Sequence, residues 1–184
     1  FLLSENPKDF LTYDHSTPID LIDTSINSVI SDQSRNRLHI SSMHGITTID
    51  PFSSTSSKFK FESGLYGKTM IKSSLDESEY LFLGSNLGLH IIKLVNGLPS
   101  EESFFNFEIG EVTEILELKN SEDMISLLLM GNSLAWSFSL DRNFSYDSVT
   151  PPQPVQQISD NLLEFNASVT SAIHAEFQER IPLL

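Results

Sequence analysis

His15, His39, His44, His90 and His174 are the side chains of this sequence best suited to bind a metal or move a proton near neutral pH. None of them pairs with another at the three- or four-residue spacing of a helical metal site. No HExxH and no facial triad of two histidines and a carboxylate is present. His39 and His90 fall in alternating apolar stretches, where a packed or surface residue is the expected role rather than a ligand. The acidic clusters Asp76-Glu77-Ser78-Glu79, Glu101-Glu102 and Glu122-Asp123 lack the Asp-x-Asp-x-Asp-Gly spacing of a calcium loop and read as solvated turns. There is no nucleophile elbow, no dinucleotide fingerprint and no P-loop. With no Cys, thiolate zinc sites, cysteine nucleophiles and disulfides are excluded. The sequence therefore predicts neither an enzyme nor a cofactor or metal site, and Trp136 is expected in the core.

Charge narrows the partners. The 184 residues carry 25 acidic against 11 basic side chains, a formal charge of −14. Proteins that bind nucleic acid neutralise phosphates with Lys and Arg, so direct nucleic-acid contact is not expected. Hydrophobic residues make up 39% of the chain, enough to build a core. No apolar run reaches the ~18–20 residues of a membrane span. Phe1-Leu2-Leu3 is too short for the apolar region of a signal peptide, and an initial Phe leads one to expect an internal fragment or a processed product. The triplets Asn143-Phe144-Ser145 and Asn166-Ala167-Ser168 read as chance matches to a glycosylation signal in a Ser-rich chain.

The elements that must position any site repeat along the chain. Leu38, Ile40, Ser42, Gly45, Ile46 and Ile49 recur as Leu81, Leu83, Ser85, Gly88, Leu89 and Ile92, each 43 residues later. A third, looser copy runs from Leu127 to Phe138, with Gly131 matched to Gly84, Leu134 to Leu89, and a shorter turn. Each copy reads as a hairpin of alternating strands around a Gly/Ser/Asn turn. Gly45 and Gly88 suit a turn that needs positive φ or close backbone approach. Further short apolar segments at Ile26–Ile30, Thr69–Lys72 and Val112–Leu118, with Phe59–Phe61 and Phe104–Phe107, supply one strand more on either side. Four strands in ~43 residues is the period of a β-propeller blade. The predicted fold is all-β, a partial propeller of about three to four blades followed by a C-terminal amphipathic helix. Blades occupy 1–148 as an incomplete ring, 149–154 is a Pro-rich linker, and 155–184 is the helix.

In that tail, Ile158, Leu162, Phe165, Val169, Ile173 and Phe177 recur at spacings of three and four, with polar residues opposite. The stripe predicts a partner-helix face: docked on the blades, paired with another chain, or opening an α-solenoid. Residues 51–67 set Phe52, Phe59, Phe61, Leu65 and Tyr66 in a Ser/Thr/Gly background, a composition found in helices that sense lipid packing. These five form a candidate membrane-contact loop, although Lys58 to Glu62 alternates as a strand does, and a loop leading into a strand is the favoured reading.

Asp32, Ser34, Arg35 and Asn36, followed by Leu38, Ile40 and Gly45-Ile46, have the form D-x-S-R-N-x-L…x-G-I. This stretch resembles one in the N-terminal propellers of large scaffold nucleoporins of the inner pore ring, and Leu81-Phe82-Leu83 to Gly88-Leu89 is similar to the next blade strand of that family. Physically, Arg35 suits tying the turn through carbonyls or Asp32, and Asn36 suits a left-handed position. The resemblance implies a non-enzymatic scaffold at the nuclear envelope, a propeller followed by an α-solenoid. Its implied partners are other proteins of a large assembly, with peripheral membrane contact. Rival expectations are a vesicle-tethering or coat propeller, a ligand-sensing or enzymatic propeller with a central-channel site, and a nucleic-acid-associated subunit whose partner supplies the basic surface.

Overall fold

Along Ala135–Asp141, Trp136, Phe138 and Leu140 are buried while Ser137, Ser139 and Asp141 are exposed. That period of two is what a strand with one covered face requires. Similar patterns build twelve strands in the computed structural model, which describes residues 20–53, 55–121, 123–132, 134–142 and 150–155. The first sheet holds β1 (Ile26–Asp32), β2 (Arg37–Ser42), β3 (Gly45–Asp50) and β4 (Thr55–Lys60). The second holds β5 (Gly67–Leu75), β6 (Ser78–Ser85), β7 (Gly88–Val95) and β8 (Leu98–Glu108). The third holds β9 (Glu114–Asn120), β10 (Met124–Met130), β11 (Ala135–Asp141) and β12 (Gln153–Pro154). Each sheet is an antiparallel meander in chain order. The opening strands β1, β5 and β9 lie side by side, β1 against β5 and β5 against β9.

Two core layers fill the spaces between sheets. Ile46, Phe59, Leu65, Met70, Leu83 and Ile92 belong to the layer between the first and second. Phe82, Leu89, Ile91, Leu127, Trp136 and Phe138 belong to the layer between the second and third. The middle sheet is thus covered on both faces. This explains why β6 and β7 abandon alternation for Leu81-Phe82-Leu83 and Leu89-His90-Ile91-Ile92. Each large apolar side chain buried there contributes roughly 1.5–3 kcal/mol.

The matched hairpins occupy matching places, β2–β3 in the first sheet and β6–β7 in the second. Ser42 Oγ donates to the Gly45 carbonyl at 3.0 Å, and Ser85 Oγ to the Gly88 carbonyl at 3.2 Å. Close approach to the fourth strand requires both glycines. A Cβ on Gly45 would sit 2.4 Å from the Phe59 carbonyl oxygen, and one on Gly88 1.9 Å from that of Phe107. The third hairpin corrects the sequence alignment. Gly84 pairs with Leu89 and Met130 with Ala135, so the turn is no shorter in the third copy, and Gly131 corresponds to Ser85 rather than to Gly84.

Two other expectations change. The stretch expected as a linker, 149–154, supplies β12: Gln153 and Pro154 pair with Ser137 and Trp136, completing the third sheet. Pro can serve here because an edge strand need not donate on its outer side. Asn96-Gly97, both at positive φ, form the two-residue turn that launches β8 at Leu98, well before the apolar Phe104–Phe107 core of that strand. Among the described residues the three sheets do not close into a ring, and no helix is long and apolar enough to cross a membrane. The expected helix over 155–184 falls outside the described residues apart from Val155.

Candidate functional site

The densest polar chemistry lies where the β1–β2 turn meets the second sheet. Asp32 ends β1 with its side chain almost wholly buried. One carboxylate oxygen accepts from Ser34 Oγ at 2.6 Å; the other lies 2.8 Å from the Lys72 ammonium on β5. Lys72 continues to Glu79 on β6 at 2.7 Å, and Arg35 Nε donates to the other Glu79 oxygen at 2.8 Å. Arg37 donates to the carbonyl of Asn96 in the β7–β8 turn. Both arginine side chains lie over Gly97, where a Cβ would come within 2.4 Å of Arg35 Cδ. Asn36 takes the left-handed conformation at φ 52°, which lets the turn present the two arginines.

The motif Asp32, Ser34, Arg35 and Asn36 is therefore an inter-sheet clamp. The expectation that Arg35 ties its own turn is corrected: its guanidinium reaches Glu79, forty-four residues away. Glu79 likewise does not belong to a solvated turn. Asp76, at φ 54°, makes the β5–β6 turn, while Glu79 stands on β6 with its side chain largely buried. The sequence singles out no role for Lys72 and gives no sign of its pairing with Glu79, yet a lone Lys closing the apolar run Thr69–Lys72 is the signal that points to them.

His39 sits behind the clamp, fully buried, with Nδ1 2.9 Å from Thr48 Oγ1 and Nε2 3.9 Å from Asp32. The order carboxylate, imidazole, hydroxyl has the composition of a proton relay. The 3.9 Å gap is too long for a hydrogen bond, and Thr48 is buried too. What the group offers is packing and charge pairing. A cleft of about 130 Å³ lies on its outer side, lined by Arg37, Thr48, Asp50, Thr55–Ser57 and Leu98. Among the described residues no group of three or more His, Asp or Glu is placed to hold a metal.

Burial drives the electrostatics of both core histidines. It pushes His39 down to about 4, with Asp32 opposing the shift, and it pushes His90 down to about 4 as well. His90 Nε2 lies 2.7 Å from Ser85 Oγ beneath the β6–β7 turn. For Asp32, burial works upward, but hydrogen bonds from Lys72 and Ser34 outweigh it and hold the carboxyl below its ordinary value. Glu79 behaves alike, with Lys72 and Arg35 overcoming burial. Below pH 6.5 the unfolded chain takes up protons that the folded imidazoles refuse, so stability declines as pH falls from 6.5 toward 4. Each ring accounts for a loss on the order of 2–3 kcal/mol at pH 4. Asp32 and Glu79, whose folded values are lowered, add a further loss as pH drops below their unfolded values of about 3.8 and 4.5. Denaturant midpoints measured from pH 7.5 to 4.5 should fall steadily. A flat profile would contradict neutral burial of the two rings.

The candidate membrane-contact residues do not share one surface. Phe59 and Leu65 are core residues and Phe61 packs against the same layer. Burial against β5 and β6 removes them from any lipid-facing role. Phe52, in the β3–β4 turn, and Tyr66, at the other end of the first sheet, are exposed. The partner-helix residues Ile158, Leu162, Phe165, Val169, Ile173 and Phe177 lie outside the described residues. Trp136 is buried, as its strand pattern predicts, and its ring packs within 3.3 Å of where a Cβ on Gly131 would stand.

No protein-family model matches this chain, and no curated protein matches it.

Proposed function

We propose that the three sheets are successive blades of a β-propeller, and that the chain is a non-enzymatic scaffold assembling with other proteins in a nuclear pore or similar membrane-associated coat. One observation carries the architecture: β1, β5 and β9, each the first strand of its own meander, lie side by side while the matched hairpins stay in separate sheets. In a radial ring the first strand of each blade lines the axis, so neighbouring first strands meet. Equivalent positions also point the same way around the stack. His39 on β2 pairs with Ile30, which packs in the layer toward the second sheet, and Phe82, its counterpart on β6, faces the third. The corresponding residue on β10, Leu128, shares a face with Leu116, away from the second sheet. That onward face, with Leu118 exposed beside it, suits a further blade.

The assembly role rests on the resemblance of Asp32–Ile46 to scaffold nucleoporin propellers. A buried clamp that joins sheets without offering a reactive group at the surface fits such a part. Recovering the full chain from native extract and identifying its stoichiometric partners tests the reading. Pore or inner-ring proteins are the expected set. A set of vesicle-tethering proteins would move the chain to the related coat class, and no protein partner at all would overturn the scaffold.

A further inference from the structure

Exposed apolar side chains gather at the end of the stack that carries the β2–β3, β6–β7 and β10–β11 turns. Met43 is 39% exposed, Leu87 39% and Leu134 61%, and Tyr66, on the connection from β4 to β5, is 40% exposed. One apolar tip thus stands on each of three neighbouring turns. They form one surface because the sheet-to-sheet connections are bonded to those turns. Gly67 N donates to the Met43 carbonyl, Asn86 N to that of Tyr66, and Gly110 N to that of Leu87, each at 3.1 Å. The Asn86 side chain accepts from Tyr66 N at 2.7 Å and donates to the Gly64 carbonyl at 2.9 Å. Farther along, Asn132 Nδ2 donates to Glu111 at 2.6 Å, joining the β10–β11 turn to the preceding connection. The His44 and Tyr66 rings meet edge to face at 5.6 Å. A surface held in this way is ordered before a ligand arrives, which lowers the entropy lost on binding.

Its charge is one-sided. Asp23, Glu62, Glu108 and Glu111 lie at this end of the stack, near the turns that carry the apolar tips, against Lys60 and Lys68. Lys68 is already paired with Glu111 at 3.1 Å, and Asp23 accepts from His44 N at 3.0 Å. Apolar contacts within a carboxylate border match a ligand that is apolar on one side and cationic at its margins. An anionic membrane leaflet would be repelled by the same border.

We propose that this end of the stack is a docking surface for a basic amphipathic segment of a partner protein. Apolar side chains of that segment seat among Met43, Tyr66, Leu87 and Leu134, and its Lys or Arg side chains reach the surrounding carboxylates. The proposal rests on the reading of the chain as a binding scaffold and names the surface that does the binding.

The test titrates a synthetic amphipathic Leu/Lys peptide into the full 184-residue chain and follows backbone amide shifts. The expected result is saturable binding, with shifts centred on residues 43–44, 64–67, 86–87, 110–111, 132 and 134. The triple variant Met43→Ser, Leu87→Ser, Leu134→Ser should weaken binding about tenfold or more, and added salt should weaken it further. A dispersed spectrum of the variant shows that exposed turn changes leave the fold intact. Four results overturn the surface: no binding, equal binding of a Leu/Glu peptide, shifts centred elsewhere, or preferential uptake onto neutral phosphatidylcholine vesicles through the same residues. The triple variant is also taken through the native-extract recovery. Loss of a partner held by the unaltered chain supports the surface. An unchanged partner set overturns it while leaving the scaffold standing, whereas an empty set for the unaltered chain removes the scaffold itself.

Discussion

Replacing Lys72 by Met is expected to cost the protein about 3–5 kcal/mol of folding stability. The Lys72 ammonium lies 2.8 Å from Asp32 and 2.7 Å from Glu79, and the Asp32 side chain is only 1% exposed. Without Lys72, Asp32 keeps a single hydroxyl donor, Ser34, for a charge that water cannot reach. Glu79 suffers less, because Arg35 remains at 2.8 Å. The double variant Asp32→Asn, Lys72→Met removes both charges and should regain much of the loss, since a buried pair is valuable mainly against its half-broken form. Denaturant unfolding of the two single variants and the double completes the cycle. A Lys72→Met loss below about 1 kcal/mol would place the clamp with ordinary surface ion pairs. Hydrogen exchange locates the damage. Protection should drop first in β1 and β2, which the clamp holds to the second sheet, and persist in β6 and β7, which are packed on both faces.

Phe82→Ala is the second large effect, a loss of about 3–5 kcal/mol. The ring is fully buried in the middle sheet and packs against Phe138 of the third at a centroid distance of 6.5 Å. Tyr80, two residues earlier on the same strand and in the same core layer, has its ring centroid 6.3 Å away. With Leu89, Ile91 and Leu127 around it, the cavity has few ways to collapse. The measurement is again denaturant unfolding, and a loss near 1 kcal/mol would show that the second and third sheets slide together to fill the gap. The contrast with Lys72→Met is informative. At equivalent places in the repeat, one joint between sheets is ionic and the next is aromatic, so each should respond differently to pH. The His39 side of the stack is expected to loosen in acid. The Phe82 joint holds no charge of its own to titrate.

Much of the architecture could be read in advance because its signals are local. Alternation along Ala135–Asp141, the Gly/Ser/Asn turns at 42–45 and 85–88, and the left-handed Asn36 are each decided within a few residues. The repeat of Leu38 to Ile49 at a fixed spacing likewise marked two hairpins that sit at the same place in successive sheets. Where local signals are thin, the tertiary structure departs from what they predict. Gln153-Pro154 carries no strand propensity and pairs only because the edge of β11 is open to it. At the third turn a glycine draws the alignment away from the apolar strand positions that set its register, Met130 opposite Ala135.

The site was less legible than the fold. Asp32, Ser34, Arg35 and Asn36 stood out as a turn, but nothing in their order says that Arg35 would cross to Glu79 or that Asp32 would meet Lys72. Phe59 and Leu65 carry the composition of a lipid-facing loop and end in a core layer instead. Composition, periodicity and turn chemistry were enough to determine that an acidic chain forms repeated β-hairpins over its described residues, because those properties act through neighbours along the backbone. Which faces meet, which charges pair and which apolar tips stay in water was decided only by the packing of sheets. Contacts between residues some forty positions apart depend on where whole sheets come to rest, and a linear spacing holds no such distance.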